Sequence, residues 1–300
     1  MGNLEGQFFW EQAVEEPVEL WVTPGAGDVE VRAGPRGKVR IEGRFSVRAV
    51  PQARAERLAQ LLRESPPVEV RGREIRVGDL EKYAAKLAPS ILGAFFEGVW
   101  IDYQIEVPPH TEARVESGSG DIGIQGISGP VIAHTGSGEV VLERIDGEAD
   151  IKTGSGDAEV KGIEGELGIT TGSGDVYVEE VGDDVKIKTG SGDVRVRGVA
   201  GDLQVMAGSG DLALRGISGD VEVRTGSGDI HLDSDLPSGK TWRLRTGSGD
   251  VELVLPRGTE FRLAAESEFG EVESDFPPSP QAASSVEVKA GSGDISIKAR

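Results

Sequence analysis

The chain has 300 residues and no cysteine, which excludes disulfides, thiolate metal sites and cysteine nucleophiles. Its formal net charge is −20, from 52 acidic and 32 basic residues, a balance that repels nucleic acid and anionic lipid. Glycine is abundant at 44 and aromatics are sparse at 5 %, but the other apolar residues are mostly Val, Ile and Leu, so a repetitive β protein is expected rather than a disordered tract.

In chain order, Met1 to Trp10 has neither a basic n-region nor an apolar h-region, so no secretion signal is expected and the cytoplasm is the compartment this implies. Residues 1–117 are expected to form an N-terminal β segment with helical insertions at about 51–97 that pack on or cap the repeats of residues 118–300. Pro24 to Val31 is a degenerate copy of the later repeat, so the β architecture begins near residue 18, and Lys38 to Arg48 reads as another strand. Ala53 to Glu64 has helical periodicity through Leu58, Leu61 and Leu62 and stops at Ser65-Pro66-Pro67. Val68–Val70 and Glu74–Val77 read as a hairpin. Leu80 to Phe96 reads as helical with a break near Pro89, either as a cap or as a partner surface built on Leu87, Ile91, Leu92, Phe95 and Phe96. The stretch from Tyr83 to Trp100 contains Lys86, Pro89 and Glu97 and is no membrane span. A strand is expected next, at Val99–Val107.

From residue 118 the chain becomes periodic. Gly-Ser-Gly begins at 118, 136, 154, 172, 190, 208 and 226, at a constant interval of 18 residues, and returns at 247 and 291. A short fixed period means stacked units, each too small to fold alone. Each unit is two glycine turns, each followed by a strand with apolar and polar residues alternating. The apolar positions form columns: Val176, Val194, Leu212 and Ile230; Val178, Val196, Leu214 and Leu232; Ile163, Val181, Val199 and Ile217; Leu167, Val185, Leu203 and Val221; Ile169, Ile187, Val205 and Val223. Such alternation buries one face of each strand. An antiparallel meander would leave that face bare, whereas a parallel coil closes its two strands on each other. The expected fold is therefore all-β, a parallel β-solenoid of 18-residue, two-strand coils over residues 118–300, with a small helical insertion in the N-terminal third. The turn glycines are expected to supply positive φ, and Thr135, Thr153, Thr171, Thr189, Thr225 and Thr246 to stack as a hydroxyl ladder.

The GSGD turns, Val107-Pro108-Pro109, Val254-Leu255-Pro256 and Glu273-Ser274-Asp275-Phe276-Pro277 together resemble the bacterial putative-adhesin family of β-strand repeat domains, also called toastrack domains. The resemblance covers roughly residues 99–300. It implies a right-handed single-chain β-solenoid and a non-enzymatic role near the cell envelope, and it supplies no catalytic residues.

One constellation invites chemistry. Asp121, Glu139, Asp157, Asp175, Asp193, Asp211, Asp229 and Asp250 stack along one edge of a solenoid, and Glu148, Glu166, Asp184, Asp202 and Asp220 along part of the other. Asp157, Asp175, Asp193, Asp211 and Asp229 are the residues that would hold calcium in a β-roll-like alternative. The calcium-binding nonapeptide, however, places Asp two residues after a glycine, whereas here Asp follows glycine directly, as a solvated Asx turn would have it. His110, His134 and His231 stand apart, serines lack a base at fixed spacing, and no phosphate loop is present. No catalytic residue, cofactor or metal is expected. A β-helix enzyme acting on polysaccharides is the more distant alternative. The expected function is an interaction module that presents flat β faces to a protein or glycan, and not to nucleic acid.

Overall fold

The structure, a computed structural model, describes residues 4–48, 52–80, 82–83 and 98–300. The chain divides into two compact units, Met1–Gly147 and Glu148–Arg300. In both, strands alternate between two sheets.

In the first unit, β1 (Leu4–Ala13) pairs antiparallel with β4 (Lys38–Val47), an N-terminal strand that the sequence pattern does not announce. It alternates weakly, burying Phe8 while leaving Phe9 66 % exposed. β2 (Val18–Gly25) and β3 (Val29–Ala33) form the first coil. The helix α1 (Gln52–Glu64) buries Ala55, Leu58, Ala59 and Leu62, a stripe at helical spacing that packs against β1 and β4. At its end the Tyr83 hydroxyl shares its proton between Leu61 O, in the last turn, at 3.0 Å and Ser65 O, just beyond it, at 2.5 Å. Burial raises that hydroxyl's pKa to about 12. β5 (Val68–Arg71) and β6 (Glu74–Val77) form the hairpin. The helical reading of 80–96, and with it the surface on Leu87, Ile91, Leu92, Phe95 and Phe96, lies outside the described residues apart from Leu80, Lys82 and Tyr83.

β6 and the strand β7 (Val99–Val107) sit outside the β2/β3 coil, β6 beside β2 and β7 beside β3. The chain then crosses back, placing β8 (Thr111–Ser117) and β9 (Ile122–Gln125) on the other side of β2 and β3. β10 (Val131–Thr135) and β11 (Val140–Ile145) continue from there in parallel.

The second unit holds the repeat at its plainest. From β12 (Ala149–Thr153) to β21 (Ile230–Asp233) each strand pairs in parallel with the one a coil away, Val176 opposite Val194, Val194 opposite Leu212, and Leu212 opposite Ile230. On the other sheet Leu167, Val185, Leu203 and Val221 line up in the same way. All five apolar columns are buried. This is a β-solenoid and not a meander, because pairing at an offset of 18 puts aliphatic on aliphatic about 4.8 Å apart in register.

At one place in the coil a left-handed residue recurs. Gly162, Glu180, Gly198 and Gly216 have φ of 69°, 58°, 73° and 67°, and the register passes from Glu179↔Arg197 to Val181↔Val199 over that residue. Carried at the same place on both strands, this residue leaves the offset at 18 and turns Val181 back toward the core only three residues after Val178.

At the far end β22 (Thr241–Ser248) and β23 (Val251–Leu255) make one coil. The chain then skips a place. β24 (Arg262–Ser267) and β25 (Val272–Ser274) lie outermost, and β26 (Ser285–Ser292) and β27 (Ile295–Ala299) return to fill the gap between. Leu263 and Val272 share columns with buried Val286 and Ile295, yet they are 37 % and 44 % exposed because no coil stacks beyond them.

Candidate functional site

The acidic edge is held together in a way that turn chemistry alone would not produce. The Asp carboxylate of one coil accepts a hydrogen bond from the backbone N–H of the Asp in the neighbouring coil. Asp157 Oδ1 accepts from Asp175 at 2.8 Å, Asp175 from Asp193 at 2.8 Å, Asp193 from Asp211 at 3.0 Å, Asp211 from Asp229 at 2.9 Å, and Asp229 from Asp250 at 2.8 Å. Asp250 passes the pattern to Asp294, and Asp294 to Glu271. In the first unit Asp102 accepts from Asp28, Asp28 from Asp121, and Asp121 from Glu139. The Asx turn expected within each repeat is therefore replaced by a bond between repeats.

The second edge does the same from Asp184 onward. Asp184 accepts from Asp202 at 2.7 Å, Asp202 from Asp220 at 2.8 Å, and Asp220 from Thr241 at 2.6 Å. Lys240 Nζ also lies 3.4 Å from Asp202. Glu148 and Glu166 precede this run, and Glu166 contributes its backbone carbonyl to Ala149.

Magnitudes explain why like charges tolerate this stacking. Two carboxylates about 5 Å apart repel by about 1 kcal/mol in a water-like dielectric. A hydrogen bond to a charged acceptor contributes about 1.5–3 kcal/mol. The bond outweighs the repulsion, and it commits Oδ1 of each Asp to the neighbouring coil.

The glycines make the approach possible. Gly174 is not in the left-handed region, contrary to the expectation that turn glycines supply positive φ. A Cβ there would stand 1.9 Å from Gly156 O. Gly210 has both requirements, φ +120° and a Cβ position 2.2 Å from Gly192 O. The threonines are stacked and buried, but their hydroxyls bond turn backbone rather than each other. Thr171 Oγ1 donates to Gly156 O at 3.3 Å and accepts from Gly174 N–H at 3.0 Å, whereas Thr189 and Thr225 donate to Ser191 O and Ser227 O in their own turns.

The sequence reading missed Asp28, Asp102 and Asp294 as members of the ladder. Asp28 and Asp294 follow a glycine and could have been found by that signal; Asp102 follows Ile101 and has none.

Among the described residues no group of three or more His, Asp or Glu side chains converges to hold a metal ion. The histidines remain apart. His134 lies on β10 opposite Glu116, and His231 Nδ1 lies 2.8 Å from Glu252, whose carboxyl is held below its usual pKa first by Lys298 and then by His231. Tyr103 Oη is buried against Phe8 with no hydrogen-bond partner among the described residues, and burial pushes its pKa up. No described helix is long and apolar enough to cross a membrane.

The family model described as Toastrack DUF4097 matches two overlapping stretches, residues 104–199 and 179–298, which between them take in more than half of the chain. Among solved structures the chain is similar to a putative cell adhesion protein from Clostridium sporogenes, at 13 % identity over 98 % of this chain and 100 % of that one, with a TM-score of 0.19. It is also similar to a putative adhesin from Bacteroides fragilis, at 11 % identity over 98 % and 97 %, with a TM-score of 0.29. At those TM-scores neither likeness carries an argument about this chain. No curated protein matches it.

Proposed function

The chain belongs to the Toastrack DUF4097 family, and from that footing we propose that it is a non-catalytic interaction module of the cell envelope, whose outward sheet faces bind a protein or glycan partner. The observation that carries this reading is the unbroken register from β12 to β21. Coil after coil turns its aliphatic residues inward and its Lys, Arg, Glu and Gln residues outward, so that each face is a grid of polar groups about 4.8 Å by 7 Å. Catalysis needs unlike groups converging at one place, whereas a grid repeats similar groups along a line, which suits an extended ligand.

The test is titration of labelled protein onto an isolated envelope fraction of the source cell, with unlabelled protein as competitor. Saturable binding that outward charge reversals weaken, at unchanged melting temperature, supports the module. Binding that never saturates, or turnover of envelope polysaccharide by the purified protein, refutes it.

A further inference from the structure

Against a net charge of −20, the outer face of one sheet carries a row of opposite sign, and the coil register reveals it. On the outer face of the β12–β26 sheet, Lys152, Lys188, Arg224, Arg245 and Lys289 fall in a single column, with Thr170 and Met206 as its interruptions. Successive cations of this column stand 21 to 44 residues apart in the chain, so no linear charge run marks them. The parallel column beside it adds Lys186 and Arg243 and holds Asp150, Glu222 and Glu287. With Glu266 of β24 closing the row, seven cations face four carboxylates, a net of +3 on this face.

Local pairs engage most of the row but leave its cations accessible: Lys152 is bridged to Asp150 at 2.8 Å and remains 54 % exposed. Arg224 is bridged to Glu222 at 2.5 Å and Arg245 to Glu287 at 2.9 Å, and these cations remain 52 % and 41 % exposed. Lys289 reaches Glu287 and Glu266 only at 3.7 and 3.8 Å. Acidic residues flank the row at both turn edges, as a bonded ladder on one edge and from Asp184 to Asp220 on the other, so the positive potential is confined to a strip two outward residues wide. From β12 to β26 the strip crosses seven strands, about 29 Å at about 4.8 Å per step.

We infer that this strip binds a linear anionic polysaccharide laid across the strands, its carboxylate or sulfate groups spaced at one or two coil steps. This rests on the reading of the protein as an interaction module and names the face and the ligand class. Charge sign selects an anion, and the strip's width of two outward residues selects a single extended chain. The acidic edges repel a duplex, and the row holds no aromatic on which bases of a single-stranded nucleic acid would stack.

The test uses the full chain with an oligogalacturonate, a heparin-derived oligosaccharide, neutral dextran and single-stranded DNA, by calorimetry at low and physiological salt. One or both anionic oligosaccharides should bind, more weakly as salt rises, and dextran should not. Lys188→Glu with Arg224→Glu should weaken binding at least tenfold with the melt unchanged, and Arg195→Glu with Arg197→Glu on the other sheet should not. Glu222→Gln releases Arg224 and should tighten binding severalfold, which a merely structural role would not do. Binding unaffected by the Lys188/Arg224 reversal, no binding of either anionic probe, or tighter binding of DNA overturns the inference. If the reversed variant still saturates the envelope fraction, only the strip is refuted and the module stands.

Discussion

Replacing Gly174 with alanine tests whether the coils stack as closely as the ladders require. The new Cβ would sit 1.9 Å from Gly156 O, a backbone atom that no rotamer change can move. Reaching ordinary contact means parting the two turns by roughly 1.5 Å. That displacement opens Gly174 N–H to Thr171 Oγ1 (3.0 Å), Asp175 N–H to Asp157 Oδ1 (2.8 Å) and Gly172 N–H to Thr153 O (3.2 Å). At about 1 kcal/mol for each of the two neutral bonds and about 1.5–3 kcal/mol for the carboxylate-accepted one, the cost is about 4 kcal/mol. Gly123→Ala is the matched control, because its Cβ would meet only Glu30 Cγ at 4.0 Å and its φ is not left-handed. It should be neutral or stabilising by about 0.4–1 kcal/mol through the unfolded chain. Urea unfolding gives both values. Amide exchange over residues 157–193 shows whether the loss is local, as stacked repeats allow. A Gly174→Ala protein within about 0.5 kcal/mol of Gly123→Ala would refute the close-stacking argument.

Three further outcomes rest on the same geometry. Asp211→Asn keeps an acceptor for Asp229 N–H and removes a like charge, so it should be neutral or slightly stabilising, whereas Asp211→Ala should cost about 1 kcal/mol in urea unfolding. Because the folded pKa of Glu252 is depressed below 4.5, its contribution is present above that pH and lost as pH falls through the folded value. Glu252→Gln should therefore be less stable than the parent by under about 1 kcal/mol at pH 7, with the difference vanishing in acid melts. Since one oxygen of each ladder Asp is engaged by backbone, calcium should show no stoichiometric micromolar binding at about 0.15 M salt. Such binding, or a melt lowered by more than about 10 °C in chelator, would restore the β-roll alternative.

The solenoid was legible because its columns are: a period of 18 with aliphatics at fixed places leaves one economical way to bury Val176, Val194 and Leu212 together. The order of coils at the ends was not legible. β24/β25 and β26/β27 read alike as repeats, and nothing in their residues says which lies outermost, since pairing across a skipped place uses the same alternation as pairing in sequence. β1 went unread because Phe8 and Phe9 are adjacent and blur the period of two. The acidic column was visible as residues, but its role was not: an Asp that bonds its own turn and one that bonds the next coil look identical in sequence. The basic row escaped for a related reason, since charge runs are sought along the chain and this one runs across it.

The central claim is the parallel stacking of coils, and the absence of cysteine gives a clean background for testing it. Arg195 and Ala213 are register partners on neighbouring coils, so their Cα atoms lie about 4.8 Å apart, within the roughly 4.4–6.8 Å that a disulfide spans. Arg195 and Ala207 lie on opposite sheets here but would be cross-strand neighbours in an antiparallel meander. Under mild oxidation, the protein carrying Arg195→Cys with Ala213→Cys should form an intramolecular disulfide, and the one carrying Arg195→Cys with Ala207→Cys should stay reduced. The reverse pattern would contradict the solenoid and everything built on it.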